Sequence, residues 1–562
     1  MPAPRTRPAD PAAPAGALLV AGTTSDAGKS LITAGICRWL HREGVSVAPF
    51  KAQNMALNAA VTPDGLELGR AQAVQAAACG IEPEAVMNPV LLKPTGERRS
   101  QVVLLGRAHG TAGARDYRRL RAELRGAVLE SLAELRGRFD AVICEGAGSP
   151  AEINLRDGDF VNMGLCRDAG LPAIVVGDID RGGVLAAHYG TIALLHPADQ
   201  AHVAGMVINK FRGDPSLLDP GVEALEAMTG RPVLGVVPWA DGLELDAEDG
   251  LALRTFDRGA ETADPLRVAV VGLRRISNFT DLDALAIEPD VDLRLTRDPD
   301  VLRDADLVVL PGSKATVADL QDLRDAGLDR VLAERVAAGR PVLGICGGYQ
   351  MLGDEIEDDG IETGTGTVPG LGLLPVHTTM HPEKITRRRT GALLVGEGGV
   401  LGGDGASGRG GAPASTGASG SGGPGLGSSG ERTSVEAGGY EIRHGRVVRH
   451  GGSALLAGDP IVAAADEAPS ADEGCVRGVV AGTSWHGLLE HDEARHALLG
   501  WAARHRGRPF APGPTRFAEV RERRYDVLGD LVAEHLDTDA LLRLLEHGVP
   551  PGLPTLACGP VG

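Results

Sequence analysis

Short runs of apolar residues alternate with helical stretches along two separate parts of the chain. The runs are four to six residues long and include Ala17–Ala21, Ala141–Cys144, Val203–Ile208, Arg267–Val271 and Asp306–Leu310. Strands of a parallel sheet are buried on both faces and therefore read as continuous apolar runs, with a helix between one strand and the next. The pattern predicts an α/β fold with two doubly wound parallel-sheet domains.

Composition narrows the class of protein. A chain of 562 residues with 43% hydrophobic residues is large enough for several cores. The formal net charge of -19 disfavours a nucleic acid or an anionic membrane as partner. The seven cysteines are an odd number without a C-x-x-C pair, which favours a reducing cytoplasm. We therefore expect a cytoplasmic protein with small-molecule partners, no nucleic acid and no membrane, and homo-oligomeric assembly stays open.

The predicted domain organisation follows these composition shifts. A Gly/Ser/Ala tract near the middle of the second domain buries too little surface to fold, and a charged helical stretch closes the chain. The predicted segments are a disordered extension at 1–16, a first domain at 17–240, a linker at 241–265, a second domain at 266–506 with a disordered insertion at 396–439, and a helical tail at 507–562.

A glycine-rich loop follows the first apolar run. It reads Gly22-Thr23-Thr-Ser-Asp-Ala-Gly28-Lys29-Ser30 and leads into an apolar helix. A strand, glycine loop and helix in this order hold phosphates on backbone N–H groups. We expect this loop to bind ATP, with Lys29 reaching the phosphates and Ser30 holding Mg²⁺. Five residues separate the two glycines, where the usual loop has four.

The five-residue spacing resembles the loop of the dethiobiotin synthetase-like ATPases, which use ATP to activate a carboxylate or carbamate. The resemblance implies a magnesium ligand at Glu145 and an adenine contact at Asn209. Lys51, after the run Val45 to Phe50, is a candidate to neutralise a transferring phosphoryl group; a solvated surface lysine is the other interpretation. Partition-type ATPases carry an additional lysine early in the loop, and Thr23 to Ala27 contain none.

A cysteine stands at a strand-to-helix elbow in the second domain. Gly344-x-Cys346-x-Gly348 has the nucleophile-elbow spacing, with sulfur in place of oxygen. Cys346 is therefore the predicted nucleophile, at the positive end of a helix dipole. His486, at the end of a later apolar run, is the predicted base. Backbone N–H groups of Gly312 and Gly347 are predicted to bind the oxyanion.

This set of residues resembles the class I glutamine amidotransferases, in which the cysteine attacks the glutamine side-chain amide and releases ammonia. Most of that class carries a glutamate two residues after the histidine, where this chain has Leu488. Glu490 or Asp492 could orient His486, or the pair could work as a dyad. Histidine-glycine-leucine is itself typical of the cobyric and cobyrinic acid synthase branch.

Longer motifs are similar to the cobyric acid synthase family over nearly the whole chain. The resemblance implies amidation of the b, d, e and g carboxylates of adenosylcobyrinic acid a,c-diamide with glutamine, ATP and Mg²⁺. Cobalt then belongs to the corrinoid substrate and not to the protein. The motifs are Lys51–Asn58, Glu67–Gln72, Asn88–Pro94, Glu145–Leu155, Asp178–Gly183, Arg275–Asp281 and Gly439–Ile442.

Two other functions stay open at this point. A cobyrinic acid a,c-diamide synthase has the same architecture and chemistry but acts on other carboxylates, and the Lys51–Asn58 motif argues against it. A regulatory ATPase with an inactive glutaminase domain would explain the missing glutamate and the insertion. The presence of Cys346, His486 and Lys29 argues against that second alternative.

Overall fold

The computed structural model describes residues 16–96, 99–240, 259, 262, 264–362, 366–396, 399–400, 433–458 and 472–557. Three predicted segments lie wholly or mostly outside these residues: the N-terminal extension, the linker and the central part of the Gly/Ser insertion.

The described elements follow one another in chain order. The strands are β1 (Gly16–Gly22), β2 (Val47–Phe50), β3 (Gln53–Met55), β4 (Ala59–Val61), β5 (Glu67–Gly69), β6 (Val90–Gly96), β7 (Arg99–Leu104), β8 (Arg107–Gly113), β9 (Ala141–Glu145), β10 (Ala173–Asp178), β11 (Val203–Phe211), β12 (Val233–Pro238), β13 (Leu266–Val271), β14 (Val291–Thr296), β15 (Leu307–Leu310), β16 (Val342–Ile345), β17 (Glu355–Asp358), β18 (Gly366–Pro369), β19 (Val376–Gly396), β20 (Gly399–Val400), β21 (Thr433–Arg449), β22 (Leu456–Gly458), β23 (Asp472–Glu473), β24 (Cys475–Arg477) and β25 (Val480–Thr483). The helices are α1 (Lys29–Arg42), α2 (Arg70–Ala78), α3 (Ala114–Arg138), α4 (Met163–Ala169), α5 (Val184–Leu194), α6 (Pro197–Gln200), α7 (Asp219–Thr229), α8 (Asp283–Ala286), α9 (Pro299–Asp304), α10 (Thr316–Asp325), α11 (Leu328–Ala337), α12 (Gly347–Leu352), α13 (Asp492–His505), α14 (Phe517–His535) and α15 (Thr538–His547).

The chain forms two compact units. The first comprises Met1–Ala252, Lys384–Arg388 and Thr515–Gly562, and the second comprises Leu253–Glu383 and Arg389–Pro514. Within the described residues, no helix is both long and apolar enough to cross a membrane.

A parallel six-stranded sheet organises the first unit. Its strand order is β12-β11-β10-β1-β9-β2, and every neighbouring pair runs parallel. The sequence explains this arrangement, because β1, β9 and β10 are apolar along almost their whole length and are buried. The glycine-rich loop follows β1, and Glu145 and Asp178 close β9 and β10, so all three lie at the carboxyl edge of the sheet, where α/β folds bind ligands.

The C-terminal helices belong to the first unit and not to a separate tail. Arg38 on α1 pairs with Glu522 and Asp526 on α14, at 2.9 Å in each case. Tyr525 and Leu541 are buried in the same apolar cluster as the β1 residues Leu18 and Val20. Acidic residues of this segment therefore pair with α1, and its apolar residues complete the core.

A second sheet organises the second unit. Its order is β14-β13-β15-β16-β25-β24, parallel except for the last pair. A further sheet runs in the order β18-β17-β19-β22-β23, with β20 and β21 also paired to β19. Two sheets that are parallel throughout or nearly so confirm the predicted α/β class with doubly wound domains.

The predicted end of the Gly/Ser insertion, at 439, is wrong, because β21 begins at Thr433. The glycines of this stretch serve close packing. A side-chain carbon on Gly438 would lie 2.5 Å from His491 Nε2, and one on Gly439 would lie 2.4 Å from the His486 carbonyl oxygen. Only glycine fits at these two positions. The first residues of β21 therefore resemble the Gly/Ser tract in composition, although they form a strand.

Candidate functional site

Cys346 stands at a sharp elbow between β16 and α12. Its backbone has φ 50°, a left-handed value that few residues other than glycine adopt. Its N–H donates to the Thr483 carbonyl on β25 at 2.7 Å. A side-chain carbon on Gly348 would lie only 1.9 Å from the Leu310 carbonyl oxygen, so the turn tolerates no side chain there. The elbow predicted from the glycine spacing is present, with the strained backbone that this motif imposes.

His486 is oriented by an acidic residue that precedes it by 205 positions. Asp281 Oδ2 lies 2.7 Å from His486 Nδ1, and Asp281 Oδ1 accepts the Gly487 N–H at 2.7 Å. Both side chains are buried. Since Nδ1 is engaged by Asp281, Nε2 is the ring nitrogen that remains for the Cys346 thiol. Cys346 also interacts with this imidazole, so the three residues lie together in the order cysteine, histidine, carboxylate that a nucleophilic triad requires.

Asp281 is the acidic residue that contacts His486, whose orienting partner the sequence left open. Asp492 pairs with Arg495 Nη2 at 2.7 Å, and the orienting bond to His486 is made by neither Glu490 nor Asp492. Leu488, at the position where most class I glutamine amidotransferases carry a glutamate, is buried at 3% exposure. Asp281 is therefore a third candidate for the residue that orients His486, and the dyad stays an alternative.

The surroundings of His486 raise the pKa of its imidazole and fix the position of the ring. Burial alone would lower the pKa of the imidazole, but the electrostatic interactions and hydrogen bonds with Asp281 and Cys346 outweigh burial and raise the pKa to about 10. Tyr440 packs on the ring with centroids 5.5 Å apart and nearly parallel planes. The backbones of Tyr440 and His486 also exchange two hydrogen bonds of 2.9 Å. Contacts on the face of the ring, at the backbone of His486 and at Nδ1 therefore fix this side chain in place.

The two glycines predicted to bind an oxyanion lie beside this group. A side-chain carbon on Gly312 would lie 2.8 Å from His486 Cε1, and one on Gly347 would lie 2.8 Å from the Ser313 backbone nitrogen. The Gly312–Ser313 loop, the elbow and the histidine are thus in direct contact.

The second predicted site lies at the carboxyl edge of the first sheet. Thr23 N–H donates to the Val176 carbonyl at 2.9 Å, which continues the ladder from β1 into the glycine-rich loop. Lys29 Nζ donates to the Thr24 carbonyl within the same loop at 3.0 Å. Gly22 and Gly28 bracket the loop, and Gly28 has φ 99° immediately before α1. The loop is therefore closed over its own lysine at the start of α1.

Glu145 is the centre of a buried polar cluster next to the loop. Ser30 Oγ donates to its Oε1 at 2.7 Å, Lys51 Nζ lies 3.0 Å from the same oxygen, and Gln75 Nε2 donates to Oε2 at 2.5 Å. Burial alone would raise the pKa of this carboxyl, but Lys51 and the hydrogen bonds lower it below its ordinary value. Lys51 is itself buried, so the interpretation of it as a solvated surface lysine is wrong.

Gln75 is a member of this cluster that the sequence analysis missed. It lies on α2 within an alanine-rich stretch, and no motif marks it. The available signal was weak: Gln72 and Gln75 stand three positions apart and so share one face of the helix, and both are buried.

Asn209 lies against the loop. Its Nδ2 donates to the Ala27 carbonyl at 2.9 Å. The next residue, Lys210, has φ 63° and places Nζ 2.7 Å from the Asp26 carbonyl and 2.8 Å from Asp178 Oδ2. In this structure the Asn209 amide nitrogen therefore supports the loop backbone, and the adenine contact stays a prediction.

Comparison with known families assigns the glycine-rich loop and the Cys346 elbow to two different domains. Residues 18–253 match the family model described as the CobQ/CobB/MinD/ParA nucleotide binding domain, and residues 267–494 match the CobB/CobQ-like glutamine amidotransferase domain. Both matches bear out the predicted ATP-binding and glutamine amidotransferase domain types.

Curated relatives match along almost the entire chain. Each is named cobyric acid synthase. The one from Frankia casuarinae is 54% identical and covers 97% of this chain and 99% of its own length. Those from Streptomyces coelicolor and Saccharopolyspora erythraea are 53% and 52% identical, cover 97% of this chain, and are themselves covered over 99% and 98% of their lengths. At this identity and coverage, the chain belongs to the cobyric acid synthase family.

Proposed function

We propose that this protein amidates the b, d, e and g carboxylates of adenosylcobyrinic acid a,c-diamide, with ammonia released from glutamine and with ATP as the activating reagent. The observation that carries the proposal is the presence of two complete side-chain sets in one chain. One is Cys346, His486 and Asp281, and the other is the glycine-rich loop with Lys51 and Glu145. The relatives and the long motifs around Lys51 and Glu145 supply the choice of substrate.

In the glutaminase site, Cys346 Sγ, after its proton has passed to His486 Nε2, attacks the side-chain carbonyl carbon of glutamine. His486, whose pKa is raised to about 10, then gives this proton to the amide nitrogen as the C–N bond breaks, and ammonia leaves. Asp281 holds the ring at Nδ1, which leaves Nε2 for the sulfur. The resulting thioester is hydrolysed by water, with His486 taking a proton from the water, and glutamate leaves. N–H groups at Gly347 and Gly312 stabilise the negative charge on the tetrahedral oxygen.

In the synthetase site, a carboxylate of the corrinoid attacks the γ-phosphorus of ATP, and ADP leaves. Ammonia then attacks the carbonyl carbon of the acyl phosphate, and inorganic phosphate departs as the amide forms. Lys29 and Lys51 bring positive charge to the phosphoryl group in transfer. Glu145 fixes the position of Lys51 through their 3.0 Å ion pair. Gln75 and Ser30 fix Glu145 in turn.

The residues present fit a magnesium ion that arrives with the nucleotide. Magnesium prefers oxygen ligands, and in nucleotide sites it takes one or two from the protein and the rest from phosphates and water. Ser30 Oγ and Glu145 Oε1 are two such oxygens only 2.7 Å apart, and Glu145 is kept ionised. We assign the ion to these two residues, where it would neutralise phosphate charge.

The test is conversion of the proposed substrate by the purified protein. Adenosylcobyrinic acid a,c-diamide is incubated with ATP, magnesium and either glutamine or ammonium chloride, and the products are followed by mass spectrometry. We expect up to four successive conversions of a carboxylate to an amide with either nitrogen source. Conversion of cobyrinic acid at its a and c positions instead would assign the diamide synthase activity. Absence of conversion with both nitrogen sources would favour a regulatory ATPase.

A further inference from the structure

Three large apolar side chains are exposed in the chain segments that follow Lys51 and Glu145. Met55 is 54% exposed, Ile153 is 48% exposed and Leu155 is 56% exposed. Met55 ends the strand that begins two residues after Lys51, and the other two follow Glu145 in the same motif. Single exposed apolar residues are common, but several of them in segments that carry the site residues are typical of a ligand-binding surface.

Helix α3 contacts both the segment that carries Met55 and the segment that carries Ile153 and Leu155. Tyr117 Oη donates to Gln53 Oε1, two residues before Met55. One helical turn further on, Arg121 Nη1 donates to the Asp157 carbonyl, two residues after Leu155, at 3.2 Å. Residues four apart on a helix are separated by about 6 Å along its axis. The two apolar segments therefore flank a single turn of α3.

The loop that carries Ile153 and Leu155 is anchored close to Glu145. Asn162 Nδ2 donates to the Ala147 carbonyl at 2.7 Å, and its Oδ1 accepts the Ala147 N–H at 3.1 Å. This two-way bond closes the base of the loop two residues after Glu145. The loop outside this clasp includes the short 3-10 turn Ile153–Leu155, which has no buried residue.

We propose that Met55, Ile153 and Leu155 form the surface on which the apolar face of the corrin ring rests, while a peripheral carboxylate reaches Lys51. This inference rests on the proposed function. Of the three substrates, ATP is assigned to the glycine-rich loop and glutamine to Cys346, and the corrinoid is the one with a broad apolar face. Four residues of extended chain from Lys51 to Met55 span at most about 14 Å, a reach that suits a macrocycle with side chains at its rim.

The test compares two variants of the full-length protein with the wild type. In the first, Met55→Gln and Leu155→Asn are combined, which keeps the approximate shape of each side chain but makes the surface polar. In the second, Leu217→Asn changes a side chain of the same unit that is 78% exposed and lies after β11, outside the motifs. Binding of adenosylcobyrinic acid a,c-diamide is measured by equilibrium dialysis, with the visible absorption of the corrinoid as the readout. ATP binding and amidation kinetics are measured in parallel.

We expect the double variant to raise the Kd and the KM for the corrinoid by about tenfold or more, because each apolar side chain loses its favourable burial. The kcat at saturating corrinoid and the affinity for ATP stay within about twofold of the wild-type values, and Leu217→Asn changes none of them. A double variant with the wild-type Kd would overturn the inference, and so would a loss of kcat at unchanged Kd. A wild-type protein that binds and converts no corrinoid would instead refute the proposed function.

Discussion

His486 Nδ1 lies 2.7 Å from Asp281 Oδ2, although 205 residues separate the two in the sequence. The same carboxylate accepts the Gly487 N–H through its other oxygen, so Asp281 holds both the ring and the backbone beside it. In the general arrangement of such sites, a carboxylate on Nδ1 fixes the tautomer and stabilises the charged imidazole. Burial alone would lower the pKa of His486, but the interactions with Asp281 and Cys346 raise it to about 10.

Replacement of this carboxylate should impair the glutaminase alone. In Asp281→Asn, we expect glutamine-driven amidation to fall by about a hundredfold or more, because the ring loses its orientation and its charge partner. Amidation driven by ammonium chloride should be unchanged. The matched control is Glu490→Gln, which alters an acidic residue close to His486 in sequence and should retain wild-type activity.

A pH profile separates this role from a merely structural one. Without the Asp281 charge, the pKa of His486 falls from about 10, so the alkaline limb of kcat/KM for glutamine should move to lower pH in Asp281→Asn. An unchanged alkaline limb, or equal losses with glutamine and with ammonium, would contradict the triad assignment.

The polar cluster around Glu145 should serve the ATP-dependent step. In Glu145→Gln, we expect amidation to fall at least a hundredfold with either nitrogen source, since Lys51 loses its buried ion partner and Ser30 its carboxylate. Gln75→Leu should cause a smaller loss of about tenfold, because one charge-assisted hydrogen bond to Glu145 is removed. Both rates are measured against the control Glu223→Gln, an exposed glutamate on α7. Normal ammonium-driven activity in Glu145→Gln would remove Glu145 from the site.

His188 should make the first unit sensitive to acid. Burial lowers the pKa of this fully buried imidazole to about 4, against about 6.5 in the unfolded chain. The unfolded state therefore binds more protons between these values, so stability decreases as the pH falls from about 6.5 to about 4. The full difference corresponds to at most about 3 kcal/mol.

The variant His188→Gln removes this titration. In urea denaturation followed from pH 7.5 to pH 4.5, its transition midpoint should fall less steeply with decreasing pH than that of the wild type. Parallel curves for the two proteins would show that His188 is not a source of acid sensitivity.

The elbow at Cys346 should tolerate no side chain at position 348. In Gly348→Ala, the added carbon would meet the Leu310 carbonyl oxygen at 1.9 Å, so β15 or the elbow must shift. We expect the second unit to lose about 1–3 kcal/mol of stability and glutamine hydrolysis to fall at least a hundredfold. Gly500→Ala, on α13 in the same unit, has only the far end of the Arg504 side chain nearby and is the control. Wild-type hydrolysis in Gly348→Ala would mean that the elbow is not rigid.

The sequence was informative where a motif is local. The glycine loop with Lys29 and Ser30, the Cys346 elbow and the strand-end position of Glu145 each occupy a few consecutive residues, and the structure has them as predicted. The family predicted from the long motifs is confirmed by the curated relatives. These features depend on backbone turns that particular residues require, so they can be read without knowledge of the tertiary fold.

The sequence was uninformative where residues meet through the fold. Asp281 reaches His486 from a different segment of the chain, and nothing in a linear pattern pairs them. Gln75 contacts Glu145 from an alanine-rich helix, where a glutamine usually faces solvent. The sequence did not indicate the start of β21, because its first residues include glycines that close packing requires. Backbone hydrogen bonds form the strand there without a run of apolar side chains.

The most direct test of the account compares Lys29→Ala and Cys346→Ala in the amidation of adenosylcobyrinic acid a,c-diamide, with glutamine and with ammonium chloride, by mass spectrometry. We predict that Lys29→Ala abolishes the reaction with both nitrogen sources, and that Cys346→Ala abolishes it with glutamine while the ammonium-driven rate stays at the wild-type level. Retained amidation in Lys29→Ala, or glutamine-driven amidation in Cys346→Ala, would contradict the assignment of two separate chemistries to the two sites.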